Sequence, residues 1–176
     1  GVLSAGLMSG LTSPARPWFI LKTGDADLNK SYAAKLWLAQ VSRQILDLFN
    51  RSNTYRVLHT VYEELGGFGT SASLILPDAH RVIWHYPITA GRYSIATNWR
   101  GEVDTVYREF EITVANLIRE FGKERVSNVV NGLFSRGALD AWVPVVHVIE
   151  PRSDRSGYGS AGLPWRSTYF EVGAET

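Results

Sequence analysis

Residues 52–70 read SNTYRVLHTVYEELGGFGT. Apolar side chains recur there at spacings of three and four residues, which predicts an amphipathic helix with a stripe of Tyr55, Leu58, Tyr62 and Leu65. Ser52 or Asn53 is expected to cap the start of this helix. Gly66 and Gly67 are expected to end it, because glycine adopts left-handed backbone at low cost. The stretch therefore marks the end of a helical region.

Two more helices are predicted upstream. The clearer one spans residues 31–51, with an apolar stripe of Leu38, Val41, Ile45, Leu48 and Phe49. Residues 3–11 are small and apolar and form a short helix, in which Gly6 and Gly10 indicate close packing against a neighbour. Prolines within residues 14–17 fix an extended connection, which is docked by Trp18, Phe19 and Leu21.

Residues 68–112 are predicted to form a block of strands. Turn-forming residues separate the segments Ser71–Leu76, Arg81–Tyr86, Tyr93–Thr97 and Val103–Ile112. Strands that cluster in sequence favour an antiparallel or mixed sheet over a doubly wound parallel one. The predicted fold class is α+β, with N-terminal helices packed on a mixed or antiparallel sheet, short helices and a C-terminal strand pair.

The C-terminal third returns to short elements. Thr113 is predicted to cap a helix over Val114–Phe121, and residues 124–135 form another short helix. Val143–Ile149 is a predicted strand, and Pro144 within it favours an edge position because proline has no N–H to donate.

A last strand, Trp165–Val172, is expected to pair with Val143–Ile149. The domain prediction is one region over residues 1–176. Its parts are an arm at 1–30, a helical layer at 31–66, the strand block at 68–112, short helices at 113–136, and a strand pair at 142–172 with a mobile loop at 153–162.

The composition indicates a folded domain, since 45% of the residues are hydrophobic and six are Trp. The 18 Lys and Arg balance 17 Asp and Glu, so there is no basic excess of the kind that nucleic-acid binding favours. The absence of Cys excludes disulfides and thiolate chemistry. No run approaches the roughly 20 apolar residues of a membrane span. The N-terminus lacks a basic leader and an initiator Met, which predicts a piece of a longer polypeptide without a signal peptide.

Candidate chemistry is sparse. His59 and Glu63 stand four residues apart, a spacing that can hold a metal, but no third ligand is evident and a helix-surface pair is favoured. Residues 66–70 are rich in glycine, but they follow a helix and lack the Lys of a phosphate-binding loop. No carboxylate pair or serine motif stands out. No catalytic, cofactor-binding or metal-binding residue is therefore predicted.

Two groups of residues allow nucleic-acid contact as an open alternative. The first consists of aromatic residues that stack bases in some single-strand binders, namely Trp84, Tyr86 and Tyr93, accompanied by Arg81, His85 and Arg92. Burial in a sheet-packed core is the favoured interpretation of these aromatics. The second is the basic cluster Arg152, Arg155 and Arg166 around the predicted loop, interpreted either as solvated or as contacting an acidic partner or DNA.

Short motifs follow one another along nearly the whole chain. They are AGLMSGLTSP at 5–14, PWF at 17–19, WL at 37–38, SN at 52–53 with Tyr55, Leu58, Tyr62, Glu64 and Leu65, FGT at 68–70, VDTVYR at 103–108, Thr113, EFG at 120–122, HVIEPR at 147–152, and Trp165 with Tyr169. Taken in this order, they resemble the portal, or head-to-tail connecting, proteins of short-tailed bacteriophages. The part within residues 52–70 is the most specific.

The resemblance implies a structural protein of the virion, assembled in the bacterial host cytoplasm, without enzymatic activity, cofactor or membrane contact. Portal proteins form a homo-oligomeric ring, typically of twelve subunits, at one capsid vertex. Their partners are the terminase, scaffold or capsid proteins, the tail adaptor, and double-stranded DNA that passes non-specifically through the channel. The chain would be an N-terminal, mostly wing portion. Some of Trp18, Trp99, Trp142 and Trp165 would then lie between subunits.

Two other hypotheses stay open at this point. One is a small α+β enzyme or ligand-binding domain, which requires a pocket where polar groups such as His59 and Glu63 converge. The other is a free-standing nucleic-acid-binding module, which requires tight, salt-sensitive binding.

Overall fold

The computed structural model describes residues 1–174, and it confirms the α+β class. The chain divides into two compact units, one over Gly1–Ala90 and one that begins at Gly91. The boundary falls inside the predicted strand block, which supplies strands to a separate antiparallel sheet in each unit.

The first unit contains three helices and a hairpin. Its elements are α1 (Val2–Leu11), a 3-10 turn (Leu28–Lys30), α2 (Tyr32–Arg51), α3 (Thr54–Phe68), β1 (Ala72–Asp78) and β2 (Val82–Ile88). The largest helix contact in this unit is between α1 and α3. The buried apolar side chains are those of Leu38, Val57, Tyr62 and Ile88.

Helix α1 forms as predicted, but the reason given for its glycines is wrong. A Cβ built on Gly6 or on Gly10 would have no heavy atom within 4 Å, so neither glycine serves a close packing contact. Near its ends the helix makes polar contacts with α3, and its Leu3 side chain packs against Gly66. Ser4 is buried, and the hydroxyls of Thr12 and Tyr62 lie 2.9 Å apart.

Helix α3 runs further than predicted, and one residue of its predicted stripe is exposed. Gly66 and Gly67 lie within the helix, which ends at Gly69 in a left-handed conformation with φ +72°. Tyr62 is buried as expected, whereas Leu65 is 42% exposed and Val57 takes a core position. Glycines within a helix cost about 1 kcal/mol each, which packing of this helix against α1 and β2 overrides.

Alanine substitutions in this Gly-rich segment should therefore have opposite effects at two neighbouring positions. Gly67→Ala is expected to raise the free energy of unfolding by about 1 kcal/mol, because an added methyl meets open space and favours the helix. Gly69→Ala is expected to lower it by about 1 kcal/mol, because alanine is strained at φ +72°. Urea unfolding of both variants measures this. A greater loss from Gly67→Ala than from Gly69→Ala would place the helix end at the earlier glycine.

The second unit is a four-stranded antiparallel sheet with two short helices. Its elements are β3 (Tyr93–Thr97), β4 (Val103–Thr113), α4 (Val114–Phe121), a 3-10 turn (Lys123–Arg125), α5 (Asn128–Ser135), β5 (Trp142–Pro151), a 3-10 turn (Gly159–Gly162) and β6 (Trp165–Glu171). The strands lie in the order β3-β4-β5-β6. The core consists of Val114, Leu117, Val130, Val143 and Val145.

The helices of this unit start at side-chain caps. Thr113 caps α4 as predicted, since its hydroxyl accepts a hydrogen bond from the Asn116 N–H at 3.4 Å. The helix predicted at 124–135 is shorter, because a 3-10 turn comes first and Ser127 then caps α5 through the Val130 N–H.

The predicted pairing of the last two strands is confirmed, but the edge position of β5 is wrong. β5 lies between β4 and β6. Pro144 is tolerated because it lies opposite Val172, just past the last paired residue of β6, Glu171. The Pro144 carbonyl accepts from the Val172 N–H at 3.0 Å. The N–H group that proline lacks would lie on the same side of β5, where the hydrogen bonds between β5 and β6 end.

Candidate functional site

The residues considered for metal or acid–base chemistry do not converge. His59 and Glu63 lie on α3 with 3.9 Å between Nδ1 and Oε1, and both side chains are over 40% exposed. Within residues 1–174, no group of three or more His, Cys, Asp or Glu side chains is placed to hold a metal ion. The pair therefore has the geometry of an ordinary i, i+4 contact on a helix surface.

The Asn53 side chain joins the start of α3 to strand β2, because it makes the pair of main-chain hydrogen bonds that a neighbouring strand would make. The Asn53 amide donates to the His85 carbonyl at 2.7 Å and accepts from the His85 N–H at 2.8 Å. Asn53 occupies the N-cap position but makes no side-chain cap bond, whereas Ser52, the other predicted cap, accepts from the Thr54 N–H at 3.3 Å. The Thr54 hydroxyl adds a contact of 2.9 Å to the His85 ring. The beginning of the 52–70 stretch thus pairs with the edge of β2 that faces away from β1.

Towards the other end of the same stretch, Glu64 binds the residues on either side of the β1–β2 hairpin. Glu64 is buried, and its two carboxylate oxygens accept from the Ser71 hydroxyl and from the Ala90 N–H, each at 3.0 Å. Ser71 precedes β1 and Ala90 follows β2. Asn53 and Glu64 together tie the hairpin to α3 at three points. Nothing in the periodicity of apolar residues signals these ties, because both side chains are polar.

The aromatic residues weighed for base stacking divide between two units. Trp84 and Tyr86 lie on β2, whereas Tyr93 lies on β3. The Arg81 and Arg56 guanidinium groups lie 4.9 and 5.6 Å from the centroid of the Trp84 ring. Trp84 is half-buried and Tyr86 is 46% exposed, so the predicted core burial is wrong for Tyr86.

The basic cluster near the C-terminus is largely used within its own unit. Arg155 donates through two nitrogens to the Gly162 carbonyl, at 3.1 and 3.0 Å, and so closes the loop in which both lie. Arg166 pairs with Glu150 across the β5–β6 ladder at 2.6 Å. Two of the three cations therefore have internal partners, which favours a structural role over contact with a polyanion.

A buried polar cluster lies at the centre of the second sheet. His147 on β5 stands opposite Arg108 on β4 and Tyr169 on β6, and only 2% of it is exposed. Arg108 Nε donates to Nδ1 at 2.9 Å, and Nε2 lies 2.8 Å from the Ser167 hydroxyl. Because Nδ1 accepts, the neutral ring carries its proton on Nε2. Burial, and then the Arg108 charge, lowers the pKa of His147 to about 4.

The tryptophans expected between subunits fall into two groups. Trp18 is internal, since it stacks on Phe49 at 6.0 Å between ring centroids and donates through Nε1 to the Tyr55 hydroxyl. The other three are exposed: Trp99 by 88%, Trp142 by 64% and Trp165 by 47%. Large exposed aromatics of this kind are typical of protein–protein contact surfaces.

Comparison with known proteins decides the family. The model of the bacteriophage head to tail connecting protein family matches residues 1–176. The chain belongs to this family. A probable portal protein of Bordetella phage BPP-1 is 54% identical over 176 residues, and the portal protein of Salmonella phage epsilon15 is 42% identical over 177 residues. Each match covers 99% of this chain and 32% of the relative.

Membership of the head-to-tail connecting family confirms the resemblance seen in the ordered motifs. The chain spans about a third of the length of the curated relatives it matches. Within residues 1–174, no helix combines the length and the hydrophobicity that crossing a membrane requires. The alternative of a small enzyme or ligand-binding domain gains no support, since no third metal-binding side chain among residues 1–174 joins His59 and Glu63.

Proposed function

We propose that this chain is the N-terminal, wing portion of a portal subunit, a structural component of the junction between phage head and tail. The family match over the whole chain and the identity to two portal proteins carry this proposal. In it the subunits form a closed ring of about twelve copies, in keeping with closed head-to-tail interfaces. Double-stranded DNA passes through the ring without sequence-specific contacts. The terminase, scaffold or capsid proteins and the tail adaptor bind its surfaces.

The exposed aromatic side chains support a role in assembly. Trp99, Trp142 and Trp165 belong to the second unit and offer large apolar area to another molecule. The first unit exposes Trp37, Phe68 and Ile75 by 59, 68 and 65%. A ring subunit needs two different contact surfaces, one for each neighbour. Apolar side chains exposed in both units are compatible with that requirement. A structural rather than enzymatic role follows from the same proposal.

Electron microscopy tests the proposal. The sample is a polypeptide as long as the relatives, in which this chain is one part. We expect closed rings with a central channel, and mass spectrometry of purified virions should find the protein at about a dozen copies per particle. A polypeptide that stays monomeric at all concentrations and is absent from virions would contradict it.

The chain itself should bind duplex DNA weakly, because its charge is nearly balanced.

A further inference from the structure

A groove of about 670 Å³ runs along α2 in the first unit. The extended arm that precedes α2 forms one wall, and the helix forms the floor. The surfaces are mainly apolar and come from Pro17, Phe19, Leu21, Leu38, Ala39 and Leu46. This volume lies within the usual range of concave binding sites on proteins, about 300–1,000 Å³. We call it the arm–α2 groove.

The arm that forms the wall of the groove is anchored to α2. Trp18 stacks on Phe49, and the ring of Phe19 meets that of Trp18 edge-on at 4.8 Å. The Leu21 N–H donates to the buried Ser42 hydroxyl at 3.2 Å, and that hydroxyl donates to the Leu38 carbonyl at 2.8 Å. These contacts fasten the arm to α2, and the short side chain of Ala39 leaves space on the floor. The groove is therefore preformed.

The charged residues that line the arm–α2 groove are all basic. Lys22, Lys35 and Arg43 line it and are exposed. None of the residues lining the groove is acidic. Within residues 1–174, none of these three cations has a carboxylate at ion-pair distance. Lys35 and Arg43 are eight residues apart on one helix, which separates them by about 12 Å along its axis.

We propose that the arm–α2 groove binds a short apolar segment of a partner polypeptide that carries acidic residues. Its apolar side chains would fill the floor over Ala39 and Leu46, and two carboxylates about 12 Å apart would pair with Lys35 and Arg43. Two turns of a helix, or three to four residues of an extended segment, span that distance. The apolar floor favours a polypeptide over a nucleic acid, whose backbone would leave it unfilled. The proposal does not depend on ring formation or on the number of subunits.

Selection from a random library of 12-residue peptides on the 176-residue chain tests the chemistry. We expect the selected peptides to be enriched in Asp and Glu together with Leu, Ile, Phe or Trp. In fluorescence anisotropy, the best peptide should bind the double variant Lys35→Glu/Arg43→Glu at least about tenfold more weakly. Arg92→Glu/Arg125→Glu makes the same charge change at exposed cations of the other unit, and it should leave affinity within about twofold.

A second variant tests the apolar floor without changing charge. Ala39 is exposed on α2, so Ala39→Trp should fill the groove while the helix still forms, and binding of the same peptide should fall by at least about tenfold. Selected peptides that are basic, or whose affinity responds to neither variant, would overturn the proposal. So would self-association of the chain that Ala39→Trp abolishes, because the groove would then hold a second copy. Binding of a 20-base-pair DNA duplex that only Lys35→Glu/Arg43→Glu abolishes would overturn it in favour of nucleic acid.

Discussion

Replacing Asn53 with alanine is expected to destabilise the β1–β2 hairpin by about 2–4 kcal/mol. The Asn53 amide satisfies both main-chain groups of His85, and only 8% of Asn53 is exposed. Alanine would leave a partly buried N–H and a partly buried carbonyl without partners, and each costs about 1–3 kcal/mol. Hydrogen exchange of peptides from residues 72–88 measures the effect, with protection expected to fall by roughly 30- to 1,000-fold.

Two controls separate this tie from a helix cap. Asn53→Asp preserves capping ability but places a carboxylate oxygen against the His85 carbonyl, so it should be nearly as harmful as alanine. Asn50→Ala, at an exposed position of α2, should leave protection of the hairpin unchanged. If Asn53→Asp is harmless, the residue acts as a cap and the strand-like pairing does not contribute.

Acidification is expected to destabilise the second unit by about 3 kcal/mol between pH 6.5 and pH 4. The pKa of His147 is lowered to about 4 by burial and by Arg108, below its unfolded-state value of about 6.5. The unfolded chain therefore binds the proton more readily than the folded chain. Stability from this residue is complete above about pH 6.5 and is lost as the pH falls.

Hydrogen exchange of β4 and β5 peptides against pH measures this loss. His147→Gln retains an acceptor for Arg108 and a donor for Ser167 without titrating, so its profile should be flatter by the same amount. His85, whose pKa is also lowered by burial, lies in the first unit, and His85→Gln should leave the β4–β5 profile unchanged. Identical slopes for the wild-type chain and His147→Gln would contradict the assignment. Nitrogen NMR should find the ring neutral at pH 6 with its proton on Nε2.

Much of the fold could be predicted from the sequence because its signals are local. The apolar stripe of α2, the Thr113 cap and the extent of β3 each depend on residues close together in the chain. The end of α3 was misplaced because three glycines compete for one role, and packing of the helix selects Gly69. The candidate interaction surface was less predictable. Trp18, Phe19 and Leu21 were expected to dock the arm, but the groove beside them depends on Ser42 and Ala39, which carry no distinctive pattern.

The sequence by itself determined the α+β class, most of the elements and the family, since periodicity, caps and the order of motifs are properties of the chain alone. Only the tertiary structure decided that the strand block divides between two sheets and that Pro144 lies in a central strand. It also decided the roles of Asn53 and Glu64. Asn53 binds His85, which lies 32 residues further along the chain, and Glu64 binds Ala90, which lies 26 residues further. Such contacts satisfy buried polar groups, and which distant groups meet is fixed by packing rather than by local pattern. The helix within residues 52–70 thus binds the β1–β2 hairpin through Asn53 at its start and through Glu64 towards its end.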